Sequence, residues 1–223
     1  INLQPIMTFK IRKFLLLVTA LLFAFLGWFL CIDIASSVFW RVWHFSNWRI
    51  PTMWIGLWKV CYLQRYSEFK YTTTVCVKMD SNWHIPTEFQ YCQDMIILPI
   101  FLQGIGLILS LGAFLIISRN EPFPRFVDAC HVIAGCCFII SSVSIGISVT
   151  WSTYMDLSDQ TTMQFPKDFP VYTNQLVRKE TGLAFPLGIS SATCSLTSGT
   201  FFLCERYCSK FDQVHPQNIT SEV

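Results

Sequence analysis

Four long stretches without a charged side chain constrain this chain more than any other feature. Residues 14–32, 95–118 and 181–204 carry no Asp, Glu, Lys or Arg, and residues 129–152 add only one histidine, His131. A bilayer core of about 30 Å is crossed by roughly 20 apolar residues in a helix. Lipid offers the backbone no hydrogen-bond partner, so each stretch is predicted to be a helix that satisfies its own peptide groups. Four such runs in 223 residues argue against buried helices of a soluble domain. Composition agrees: 52% of residues are hydrophobic and 13% charged, where soluble domains carry about 25% charged residues. The net charge of +2 leaves no basic footprint for nucleic acid, and the hydrophobicity excludes intrinsic disorder.

The first run has a basic flank, Lys10, Arg12 and Lys13. Its apolar stretch exceeds a signal-peptide core and lacks a small-residue cleavage site, so it reads as a first membrane helix. The expected organisation is a cytoplasmic N-terminus over 1–13, helices over 14–39, 95–118, 126–152 and 181–204, extracellular loops over 40–94 and 153–180, a cytoplasmic loop over 119–125, and a cytoplasmic tail over 205–223. Basic residues beside the helix ends (Lys10, Arg12 and Lys13, then Arg119 and Arg125, then Arg206 and Lys210) favour this orientation.

The long first loop reads as a small sheet. Residues 39–45 and 54–62 are aromatic and β-branched, and 69–79 alternates with a period of two. Residues 64–68 are expected to turn between the last two strands. Cys31, Cys130, Cys136, Cys137 and Cys194 fall within or at the edge of the expected helices, where a thiol is an ordinary small apolar group. Cys61 and Cys76 lie well inside the loop, on expected neighbouring strands in an oxidising compartment, and read as a disulfide. No Cys-x-x-Cys is present, which leaves a redox enzyme without support.

These residues carry a resemblance. Trp40, then Gly56-Leu57-Trp58, Cys61 and Cys76 resemble the signature of the claudin family, shared across the wider superfamily with peripheral-myelin-protein types and calcium-channel gamma subunits. Trp40-Arg41-Val42, Gln90-Tyr91-Cys92-Gln93, Val149-Thr150-Trp151 and Arg178-Lys179-Glu180-Thr181-Gly182 extend it through the start of the fourth helix. The chain departs from the pattern in a longer Cys61 to Cys76 spacing, in Gln93 where the family has arginine, and in Pro186 and Ile189 where it has tyrosine and tryptophan. The resemblance implies an all-α transmembrane four-helix bundle with a small extracellular antiparallel β-sheet, four strands from the first loop and one from the second. It implies that Trp40, Gly56, Leu57 and Trp58 anchor that sheet on the helix ends, with Cys61–Cys76 locking it.

Several finer expectations follow. Ser191, Ser195 and Gly199, and likewise Ala184, Gly188 and Ala192, recur every four residues and make small faces for close helix approach. Asp128 and His131 read as interfacial residues rather than a proton site, because no partner acid or metal-ligand set accompanies them. From 40 to 94, six basic residues face four acidic ones, so a pore lined by this loop would favour anions. Cys204 and Cys208 are candidates for palmitoylation. Ser221-Glu222-Val223 suits a PDZ groove, making a PDZ scaffold protein an expected partner. The sequon Asn218-Ile219-Thr220 is expected to stay unglycosylated in the cytoplasm. The remaining expected partners are membrane lipid and identical or related claudins, side by side in one membrane and across apposed cells; no nucleic acid and no cofactor is expected. The resulting expectation is a non-enzymatic tight-junction protein forming a paracellular barrier or pore. The alternative is an auxiliary subunit of a channel or receptor.

Overall fold

A computed structural model describes residues 4–66, 71–79, 83, 85–119, 123–159, 163, 165–166 and 169–214, without the side chains of 4–10 and 206–214. The chain forms four long helices and one five-stranded sheet in the order α1 (Gln4–Ser36), β1 (Arg41–Phe45), β2 (Thr52–Ile55), β3 (Lys59–Tyr66), β4 (Tyr71–Lys78), α2 (Thr87–Ser118), α3 (Pro124–Leu157), a 3-10 turn (Thr173–Gln175), β5 (Leu176–Thr181) and α4 (Ala184–Val214). All four helices are long and apolar enough to cross a membrane.

The helices outrun the uncharged stretches except at the start of α4, where β5 takes Thr181 and the expected helix from 181 begins only at Ala184. Interfacial turns carry polar side chains at no cost once they leave the hydrocarbon, so charge marks the lipid boundary and not the helix boundary. α2 therefore starts at Thr87, inside the expected first loop, and α3 runs to Leu157, which moves Asp156 from the expected second loop into a helix. Asp159, at φ 55°, turns the chain left-handed just beyond that end. α4 likewise takes in residues up to Val214 that were expected to be tail.

Contacts divide the described chain into two compact units. One gathers the chain up to Phe29, Pro99–Val143 and the part from Ser191 onward; the other gathers Leu30–Leu98 and Ser144–Ser190. In the first, Leu17, Leu21, Leu107, Phe138 and Phe202 form an apolar core, with the Phe138 and Phe202 rings stacked at 5.9 Å. Small residues close the helices on one another there. A Cβ on Gly27 would lie 2.7 Å from Ser195 Oγ, and one on Gly199 2.9 Å from the Gly135 carbonyl. Hydroxyls complete the seams: Ser191 Oγ donates to the Gly27 carbonyl at 2.8 Å and Ser198 Oγ to the Ala20 carbonyl at 2.9 Å. Gln103, fully buried, donates to Ser195 Oγ at 2.9 Å. The first small face of α4 is thus consumed inside this unit.

The second unit holds the sheet, in strand order β4-β3-β2-β1-β5 with every neighbouring pair antiparallel. One face is buried, led by Trp43, Met53, Ile55, Val60 and Tyr62. The run 54–62, read as one strand, is two: β2 and β3 join through Gly56, Leu57 and Trp58, with Gly56 N–H donating to the Lys59 carbonyl at 3.0 Å. Aromatic and branched composition hides such a break, and the glycine is its mark. The expected turn at 64–68 begins later, since Gln64 to Tyr66 still pair with Thr73 to Tyr71; residues 67–70 lie outside the described set. Within α2, Pro99 provides no N–H for the Met95 carbonyl four residues earlier. Ser144 Oγ of α3 donates to that carbonyl at 2.8 Å.

Candidate functional site

The signature residues converge on the helix ends of the second unit. Trp40 is buried and its indole N–H donates to the Ile34 carbonyl at 2.8 Å. Trp58 donates to the Ala35 carbonyl at 3.0 Å. Both acceptors belong to the last turn of α1, where carbonyls have lost their helical partners. Leu57 is fully buried, and its carbonyl accepts from Gln93 Nε2 of α2 at 2.6 Å. Gln93 is where the resembled family has arginine, so an amide performs the bond here without a fixed charge. Gly56 is where the chain passes closest: a Cβ would sit 2.5 Å from the Ser37 carbonyl and 2.8 Å from Val38 Cα. Gly182 lies similarly against the Phe39 carbonyl, and its N–H donates to the Trp40 carbonyl at 3.2 Å. The hairpin loop and the β5–α4 link therefore press on the α1–β1 link.

Cys61 and Cys76 are directly opposed in the β3–β4 register and joined by a disulfide. Beneath the sheet lies an aromatic cluster for which the sequence carried only a weak sign. Phe165 meets Trp43, Phe45 and Trp83 at ring separations of 6.1, 6.2 and 6.0 Å. Phe169 meets Tyr62 at 5.4 Å and Trp83 at 5.1 Å. Phe165 and Phe169 of the second loop are thus packed under the sheet, while Pro170 stays exposed. Two isolated phenylalanines in a loop have no period from which a partner could be assigned.

Two buried charge clusters were not legible as such. Asp156, 2% exposed, accepts both contacts of the Trp43 indole N–H, at 3.1 and 3.2 Å. Arg41 Nη1 lies 3.9 Å and Lys179 Nζ 4.0 Å from its Oδ1. Arg41 also donates to Ser152 Oγ at 3.1 Å and lies over the Phe89 ring at 4.8 Å. Burial pushes its guanidinium below its ordinary pKa, and Asp156 opposes that shift. Arg41 was counted among solvent-facing loop charges; at 2% exposure it is not one, which leaves five basic against four acidic residues in 40–94. In the first unit, His131 has the acid that sequence proximity did not provide. Its Nδ1 lies 2.8 Å from Glu205 Oε2, and Lys13 Nζ lies 2.9 Å from Glu205 Oε1. The three come from α3, α4 and α1, so the absence of a neighbouring acid in sequence was no guide. Among the described residues, no three His, Cys, Asp or Glu side chains gather as a metal site.

No protein-family profile matches the chain. Over 210 residues it is 25% identical to Claudin-3 of Rattus norvegicus, a match covering 91% of this chain and 86% of that protein. The relationship is claudin-like. The unmatched remainder is shorter than any of the four helices, so each helix contributes to the match. With four apolar helices and the five-stranded sheet, the chain is a claudin-like multi-pass membrane protein. Of the tail candidates, Cys204 is exposed on α4; the side chain of Cys208, the sequon and Ser221-Glu222-Val223 lie outside the described residues.

Proposed function

We propose that this chain is a non-enzymatic structural protein of tight junctions, with its termini in the cytoplasm and its sheet outside the cell. The observation that carries this reading is the seated sheet: Trp40, Gly56, Leu57 and Trp58 hold it on the helix ends, in a chain similar to a claudin over 91% of its length. Such a sheet is a rigid platform at the membrane face. Its end strands β4 and β5 offer backbone edges for pairing with another copy. Copies would associate side by side in one membrane and meet copies or relatives on the apposed cell through both loops, forming a barrier or a selective seal. The tail would dock a PDZ scaffold through Ser221 to Val223, and Cys204 and Cys208 would carry palmitate.

Expression alone in cells that lack junctions tests this. Continuous strands in freeze-fracture images at cell contacts, with a raised transcellular-layer resistance or a changed dilution potential in epithelia, are expected. Dispersed particles together with stoichiometric co-purification of a channel would overturn it in favour of an auxiliary subunit. Deleting Val223 is expected to abolish scaffold binding while leaving strands at contacts.

A further inference from the structure

A groove of about 290 Å³ runs between the start of α2 and the late turns of α3. Its lining changes character along its length. Thr87 and Glu88 stand at the rim, with Thr87 Oγ1 donating to Glu88 Oε2 at 3.3 Å. Tyr91 and Trp151 flank the next level at 67% and 49% exposure. Met95 and Ile147 line the part below. The rise from Glu88 to Met95 is about 10 Å at the helical step. Over that distance the lining passes from carboxylate through aromatic rings to aliphatic side chains, the order a bilayer presents from headgroup to acyl chain.

Glu88 is the one formally charged group among the lining residues. The nearby cation, Arg41, is buried, hydrogen-bonds Ser152, lies beside Asp156 and over the Phe89 ring, and feels the Glu88 charge only after that of Asp156. The lining carries a carboxylate, already accepting from Thr87 Oγ1, beside two exposed aromatic rings and no lysine or arginine; the carboxylate attracts a cation, and the ring faces favour a methylated one over a donor-bearing one. Ring faces and a carboxylate both attract a quaternary ammonium, and its methyl groups fill apolar space that an ammonium would leave hydrated. An anionic headgroup would meet Glu88 unfavourably.

We propose that this groove binds a choline phospholipid, its trimethylammonium held by Glu88, Tyr91 and Trp151 and the upper part of one acyl chain lying on Met95 and Ile147. The inference rests on the helices lying in a bilayer, which resistance to carbonate extraction tests separately, and it does not depend on the junctional role.

The experiment uses the full chain purified in mild detergent and exposed to an equimolar mixture of phosphatidylcholine, phosphatidylethanolamine and phosphatidylglycerol of identical chains, with cholesterol added. Bound lipid is read by native mass spectrometry. Phosphatidylcholine is expected to exceed phosphatidylethanolamine, which differs by three N-methyl groups, by about tenfold. The double variant Glu88→Gln with Tyr91→Leu is expected to lower it to the phosphatidylethanolamine level with an unchanged unfolding temperature, since neither side chain is fully buried. Equal retention of the three phospholipids, preference for phosphatidylglycerol or cholesterol, or undiminished phosphatidylcholine on the double variant would each overturn the assignment.

Discussion

Gly56 is the residue whose side chain matters by its absence. A methyl group there would stand 2.5 Å from the Ser37 carbonyl, which is backbone and has no rotamer to move. Gly56→Ala is therefore expected to cost about 1–3 kcal/mol by overpacking, read as a lowered unfolding midpoint of the purified protein. At the other charged cluster, Glu205 serves two cationic or polar partners at once. Glu205→Gln is expected to cost about 2 kcal/mol, the scale of a lost charge-assisted hydrogen bond. Asp128→Asn is expected to stay within about 0.5 kcal/mol, as surface changes do, because His131 turns to Glu205 instead. A loss at Glu205→Gln that also stays within about 0.5 kcal/mol would show that the buried contact has no energetic consequence. Reading this from sequence was blocked by distance along the chain: 74 residues separate His131 from its acid.

The β3–β4 hairpin and the end of α3 set what each element must supply. A disulfide closing a loop of about 15 residues stabilises by roughly 3 kcal/mol in the chain-entropy model, and the two cysteines are separated by 15. Replacing both by serine is expected to lower stability by about that amount, with the helices retained by circular dichroism. Asp156 ties α3 to β1 through Trp43 and to β5 through Lys179. Asp156→Asn leaves the buried Arg41 short of counter-charge, whereas Lys179 keeps Asp159 at 2.8 Å, and is expected to cost about 3–5 kcal/mol; pairing Asp156→Leu with Arg41→Met is expected to recover part of it. No recovery would mean that the indole contact, not the ion pair, dominates. The helices were legible because lipid imposes apolarity over a whole span. The alternation of Thr72 to Val77 was legible because β4 has one face turned in. The β2–β3 turn was obscured because Trp54 to Tyr62 is apolar throughout, and the register of the second-loop phenylalanines because packing under a sheet has no sequence period. The signature residues were read through resemblance, whereas their indole-to-carbonyl bonds to α1 emerge only from the fold.

For the whole molecule, the account joins four membrane-crossing helices to a sheet that is bridged once and seated on helix ends within one compact unit. The proposed placement of this sheet outside the cell draws on the basic flanks and on the bridge, because a disulfide persists in an oxidising compartment and is lost in a reducing one. Both ideas meet in one observable, the oxidation state of two named thiols in the protein as cells make it. Non-reducing peptide mapping by mass spectrometry, on protein alkylated in intact cells before extraction, measures it directly. The account predicts a peptide pair linked through Cys61 and Cys76, with Cys92 recovered as a free thiol. Recovery of Cys61 and Cys76 as two separately alkylated thiols would contradict it.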